Sequence, residues 1–147
     1  MAGIVHGPGE GEKLAAGGSQ MLIKAGAEDT GGAFFLSETT IEPGFAGPPP
    51  HVHERICDMF YVLAGVLSVN VEGEVRELGP GSFVCAPPGT VHSFSNPGSE
   101  PVRFLNFNTP GGFEVYIREL AAAMQDGPIT AEQIGAIASR HDFKLAY

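Results

Sequence analysis

The stretch from Pro48 to Gly65, PPPHVHERICDMFYVLAG, places His51 and His53 two residues apart, Asp58 five residues beyond His53, and a glycine seven residues beyond Asp58. Alternate residues of a strand point to one face, so two histidines at this spacing grip one ion from a single strand. His51 and Asp58 have opposite parity, and a bend has to lie between them if both face inward. The segment Glu54-Arg55-Ile56-Cys57 has room for it. A second stretch, Gly81 to Asn96, GSFVCAPPGTVHSFSN, begins sixteen residues past Gly65 and brings His92 behind a Pro-Gly turn. Three of the five histidines lie in these two segments, and with Asp58 we read them as one metal site. Neutral imidazole suits Zn, Fe, Ni, Cu and Mn, and a carboxylate adds charge and hard-ligand character. Three imidazoles and one carboxylate leave positions open on an octahedral ion, as a catalytic site needs.

Working outward, MFYVLAGVLSVNV at residues 59–71 is strand material. Past Gly65 the inward set is Leu67, Val69 and Val71; before it, Asp58, Phe60 and Val62 share the even parity. Gly65 therefore marks a turn or bulge where parity switches. Glu72-Gly73 reads as a hairpin tip and Gly79-Pro80-Gly81 as a further turn. Residues 83–86, 90–95 and 102–108 read as strands, as do 20–25 and 33–41 on the N-terminal side. Residues 27–32 read as a turn, and 1–19 as a surface arm or short edge strand. Residues 112–125 carry apolar side chains at 113, 116, 117, 120, 121 and 124, one face of a helix. Thr130-Ala-Glu-Gln133 matches a capping box that opens a second helix, with Ile129 and Ile134 placed as a staple. The tail DFKLAY is expected to pack back on the body.

A chain of 147 residues fits one domain spanning 1–147, which buries roughly two-thirds of its unfolded surface. Its 21 glycines and 12 prolines suit an all-β chain that turns often, and ten Phe with no Trp suggest an aromatic-lined interior. The net charge of −9 argues against nucleic acid and anionic membrane as partners. No apolar run is long enough to span a bilayer, and the N-terminus lacks the pattern of a secretory signal. Two cysteines, Cys57 and Cys85, make no disulfide framework; a cytoplasmic protein with both thiols buried as small hydrophobes is the expectation.

The two stretches resemble the paired motifs of the cupin superfamily, G(x)5HxH(x)3–4E(x)6G and G(x)5PxG(x)2H(x)3N. The second pattern matches at Gly81, Pro87, Gly89, His92 and Asn96, and the first at His51, His53 and Gly65, with fifteen residues between the motifs. Two departures stand out: Gly44 lies seven residues before His51, one more than the pattern has, and Asp58 stands where the family has Glu. An Asp is one methylene shorter, so it ligates after a backbone shift, binds through a water, or stays free as a base. The resemblance implies a double-stranded β-helix (jelly-roll) barrel over about residues 20–110, followed by two C-terminal α-helices over about 112–140. It also implies one divalent transition metal held by His51, His53, Asp58 and His92, and a homodimer.

A metal at the bottom of an apolar cavity favours a small hydrophobic or aromatic molecule. The resemblance points first to a quercetinase-like dioxygenase, in which Asp58 serves as both ligand and catalytic proton acceptor. A redox-neutral cyclase or isomerase of the polyketide-cyclase kind is the alternative, with a non-catalytic small-molecule-binding cupin as a third reading. Phe34, Phe60, Phe94, Phe113 and Tyr116 are the weaker candidates for the walls of the substrate pocket. His6, His141 and Arg55 read as solvated.

Overall fold

The computed structural model describes residues 2–146. Along the chain run β1 (Glu12–Ala16), β2 (Ser19–Ala25), α1 (Ala27–Thr30), β3 (Phe35–Ile41), β4 (His51–Val52), β5 (Cys57–Ala64), β6 (Leu67–Val71) and β7 (Glu74–Leu78). Then come β8 (Phe83–Ala86), β9 (His92–Ser95), β10 (Val102–Thr109), α2 (Glu114–Ala123), α3 (Ala131–Ala138) and β11 (Lys144–Leu145). The strands form two antiparallel sheets, ordered β1-β2-β3-β10-β5-β8 and β11-β4-β9-β6-β7. This is a jelly roll with two C-terminal helices. The expected edge strand appears as β1. Residues 27–32, expected as a turn, contain the single helical turn α1, held because the Asp29 carboxylate accepts the Gly26 N–H at 3.0 Å.

Inward parity sets the interior in tiers. On β3 the inward residues are Phe35, Ser37, Thr39 and Ile41, all buried. The two ends enter different apolar clusters. Ile41 joins Phe60, Val62, Leu67, Val69, Val102 and Phe104 from both sheets. Phe35 joins Ile23, Tyr116, Ile117, Ile137 and Phe143, which brings the helices and the tail onto the barrel. Between them Ser37 and Thr39 bond to each other at 2.9 Å, and β10 sets Asn106 opposite Ser37. A polar belt thus crosses the barrel between two apolar plugs.

Gly65 sits where the alternation predicted a break. Its φ is +79°, and a Cβ there would lie 2.5 Å from the Pro101 carbonyl oxygen. Only glycine allows that backbone approach, and the β5–β10 register shifts beside it, between Arg103 and Phe104. The helices follow their sequence signals: α2 buries Tyr116, Ile117 and Ala121, and Thr130 and Gln133 form the expected capping box of α3. Of the tail, residues 142–146 pack back, with β11 pairing antiparallel to β4; Tyr147 lies outside the described residues.

Two expectations are corrected. The cysteines are not buried: Cys57 is half-buried and Cys85 exposed, with their sulfurs 3.5 Å apart. Both have the outward parity of their strands, opposite to Asp58 and Ala86. His141 is not free in solvent; its Nε2 lies 2.7 Å from Glu119 Oε2 and its side chain is 16% exposed. His6 and Arg55 are exposed, as expected. Among the described residues no helix is long and apolar enough to cross a membrane.

Candidate metal centre

The chain changes sheets inside the first motif, which is how residues of opposite parity come to face one another. His51 lies on β4, in register with His92 of β9. Asp58 lies on β5 of the other sheet, in register with Asn108 of β10. The crossing at Glu54-Arg55-Ile56 wraps round one carboxylate: Asp142 accepts the three backbone N–H groups at 2.6, 3.0 and 3.0 Å. The bend expected from parity is therefore held by the C-terminal tail.

His51, His53, Asp58 and His92 are all buried, and one donor atom from each lies within 4.8 Å of the others. That is the scale set by metal–ligand bonds of about 2.1 Å each. The backbone fixes the tautomers. Nδ1 of His51 faces the Pro49 carbonyl at 2.9 Å, that of His53 the Asp142 carbonyl at 2.6 Å, and that of His92 the Thr90 carbonyl at 2.9 Å. A carbonyl only accepts, so each Nδ1 carries the hydrogen and each neutral ring has its lone pair on Nε2. Nε2 of His92 and of His53 lie 3.0 and 3.4 Å from Asp58 Oδ2. The other Asp58 oxygen is already used: Oδ1 accepts from Asn106 Nδ2 at 2.8 Å and Asn108 Nδ2 at 2.7 Å.

Lone pairs that face one another out of water repel unless a cation sits among them. A proton shared between Asp58 and a neighbouring imidazole is one such cation, and a divalent metal is another. Burial drives His51 down to about 4, against the pull of the Pro49 carbonyl and with the charges of His92 and His53 adding to the fall. At neutral pH it is therefore an unprotonated imidazole, able to accept a cation at Nε2. Burial also works to lower His53, but the hydrogen bond and charge of Asp58 outweigh it and raise the group. Burial opposes ionisation of Asp58, yet the hydrogen bonds and charges of His53 and His92 hold it well below the usual carboxylate range. The result is an ionised carboxylate facing a neutral His51 and a His53 that Asp58 makes readier to hold a proton, the place a metal cation would take. That donor set fits a divalent transition metal.

The five aromatic candidates are dispersed. Phe113 lies against the centre, its ring centroid 5.3 Å from that of His53. Tyr116 stands one layer behind it, 5.0 Å from Phe113. Phe60 and Phe94 have inward parity but pack with Phe104 in the lower of the two apolar plugs, the one around Ile41 and Val62, and Phe34 packs on Phe107. The ring the sequence did not single out is Phe143, stacked on His51 at 4.2 Å and 13°. Asp142 was missed too, since nothing local marks a residue that acts 89 positions away. Asn106 and Asn108 did leave a signal: two amides at the inward parity that Val102 and Phe104 share. Outside Phe113 and Phe143 lies a cavity of about 380 Å³, also lined by Arg55, Arg140 and Asp142.

A family model described as "Cupin domain" matches residues 37–108. Quercetin 2,3-dioxygenase of Bacillus subtilis is 31% identical over 117 residues, which are 76% of this chain and 33% of that protein. The chain thus spans about a third of that relative's length. Among solved structures, KdgF from Halomonas sp. superposes with a TM-score of 0.67 at 24% identity, over 78% of this chain and 99% of that one. The polyketide cyclase RemF from Streptomyces resistomycificus gives 0.61 at 26%, over 74% and 80%. With both histidine motifs on the strands that build one buried cluster, the chain belongs to the cupin superfamily.

Proposed function

We propose that the protein is a metal-dependent enzyme acting on a small hydrophobic or aromatic molecule, and that its reaction is dioxygenation of the quercetinase kind. The observation that carries this is the convergence of three Nε2 lone pairs and Asp58 Oδ2 beside Phe113 and Phe143. A bound divalent metal would supply Lewis acidity toward an enolate or phenolate oxygen and, if redox-active, electrons for dioxygen. The protein's own residues do the rest. His51, His53 and His92 hold the ion through Nε2, and their Nδ1–H bonds to carbonyls keep the rings from turning. Asn106 and Asn108 pin Asp58 Oδ1, so Oδ2 stays aimed at the centre and is the atom available to take a substrate proton. Phe113 and Phe143 keep water off the site, and a substrate gathering in the outer cavity reaches it once Phe143 shifts. The 31% identity to a quercetin 2,3-dioxygenase supports the dioxygenase reading.

Oxygen uptake on flavonols and related enediols, measured with Fe-, Mn-, Ni- and Cu-loaded protein, tests it. Uptake that requires the metal and disappears in Asp58→Ala is expected; no uptake with any of the four removes the dioxygenase. The second reading, a redox-neutral cyclase or isomerase, rests on the RemF likeness. It predicts turnover of a polyketone with zinc and no oxygen consumed.

A further inference from the structure

The thiol pair is not part of the metal centre. Cys57 on β5 and Cys85 on β8 lie diagonally across neighbouring strands, because Met59 is the residue in register with Cys85. Both point to the outer face, away from Asp58, and β8 is the last strand of its sheet. Their sulfurs are 3.5 Å apart, with Cys85 exposed and Cys57 half-buried. Met59 has the same outward parity and adds a thioether-bearing residue beside them.

We propose that Cys57 and Cys85 form a second cation site, a bidentate chelate for a thiophilic d10 ion such as Zn²⁺ or Cu⁺, on the outside of the barrel. The argument is the bite. Two Zn–S bonds of about 2.3 Å at the tetrahedral angle hold their sulfurs about 3.8 Å apart, close to the 3.5 Å found. The two free sulfurs stand in non-bonded contact, and opening them by about 0.3 Å reaches that bite. Soft thiolate and thioether donors select such ions over the hard cations that carboxylates take. Binding displaces the two thiol protons to solvent, and water completes the coordination on the exposed side. The net charge of −9 favours the approach of any cation. The site is independent of the buried centre, which contains no sulfur.

The difference in ligand chemistry makes the test selective. Reduced, metal-stripped protein is titrated with Cd²⁺ while the ultraviolet thiolate-to-cadmium charge-transfer band is followed. Imidazole and carboxylate ligands give no such band. The expected result is a band that stops growing when the thiols hold one cadmium per chain (one added equivalent, plus one where the buried centre fills first) and weakens in apparent affinity about 100-fold in Cys57→Ser or Cys85→Ser, since losing one arm removes the chelate. Equilibrium dialysis of the Cys57→Ser, Cys85→Ser double variant should show one equivalent fewer than the unaltered protein. No band, a single-cysteine variant that binds within a few-fold of the unaltered protein, or saturation at half an equivalent (one ion shared by two chains) would each overturn the proposal.

Discussion

On one side of Asp58 the barrel is filled by Phe60, Val62, Leu67, Val102, Phe104 and their neighbours, apolar side chains from strands of both sheets. On the other side it is closed by Phe113 and by the C-terminal tail, where Phe143 stacks on His51 and Asp142 holds the crossing at residues 54–56. The first plug is stabilised by buried apolar area spread over many strands. The second also has apolar packing, Phe143 lying with Phe35, Tyr116, Ile117 and Ile137, but the crossing beside the centre is held by one carboxylate and the two-residue strand β11. Regions held by few contacts open at lower free energy than the core, so the crossing at residues 54–56 and β11 are expected to open before the strands around Phe60 and Phe104.

Three substitutions would break or sharpen that contrast. The largest effect is expected from Phe104→Ala in the lower plug, about 3–5 kcal/mol of stability lost in urea unfolding, with the number of metal ions bound unchanged. Asp142→Asn comes next, at about 1.5–3 kcal/mol, the range for hydrogen bonds to a charged acceptor. Here pH gives a second readout. Burial works to raise Asp142, but the N–H groups of Glu54, Arg55 and Ile56 and the nearby His53 hold it below its ordinary value. A carboxylate with a lowered folded pKa stabilises fully above its unfolded pKa of about 3.9 and loses that contribution as pH falls through the folded value. The gap between Asp142→Asn and the unaltered protein should therefore stay constant from neutral pH down to about 5 and close only below about 3.9. A gap that persists in full at pH 2 would mean that the carboxylate is not what holds the crossing. The smallest effect is on affinity alone: Asn108→Ala removes one donor to Asp58 Oδ1 and should weaken metal binding about 10–100-fold, with the fold retained by circular dichroism.

The lower plug and the clustering of His51, His53, Asp58 and His92 were legible because their signals are local. The i, i+2 histidines, the alternation about Gly65 and the Thr130–Gln133 box each declare themselves within a few residues. The upper closure was not, since Asp142 and Phe143 reach the centre from the far end of the chain. Parity also has a limit that Phe60 and Phe94 illustrate. It fixes which side of a sheet a residue faces but not its height along the barrel, so both rings point inward yet lie below the centre instead of lining its mouth. Cys57 and Cys85 show the converse. Composition favours burial for a free thiol, but strand position placed both on the outer face.

The account turns on His51, His53, Asp58 and His92 holding one ion. The direct measurement is the metal content and affinity of protein carrying Cys57→Ser and Cys85→Ser, so that sulfur contributes nothing, compared with the same protein bearing His53→Ala. The expected result is one divalent transition metal per chain, with affinity falling by at least about 100-fold when His53 is removed, as loss of a ligand should exceed the 10–100-fold cost of losing a supporting contact. Equal metal content and affinity in the two proteins, or no metal retained by either, would contradict it.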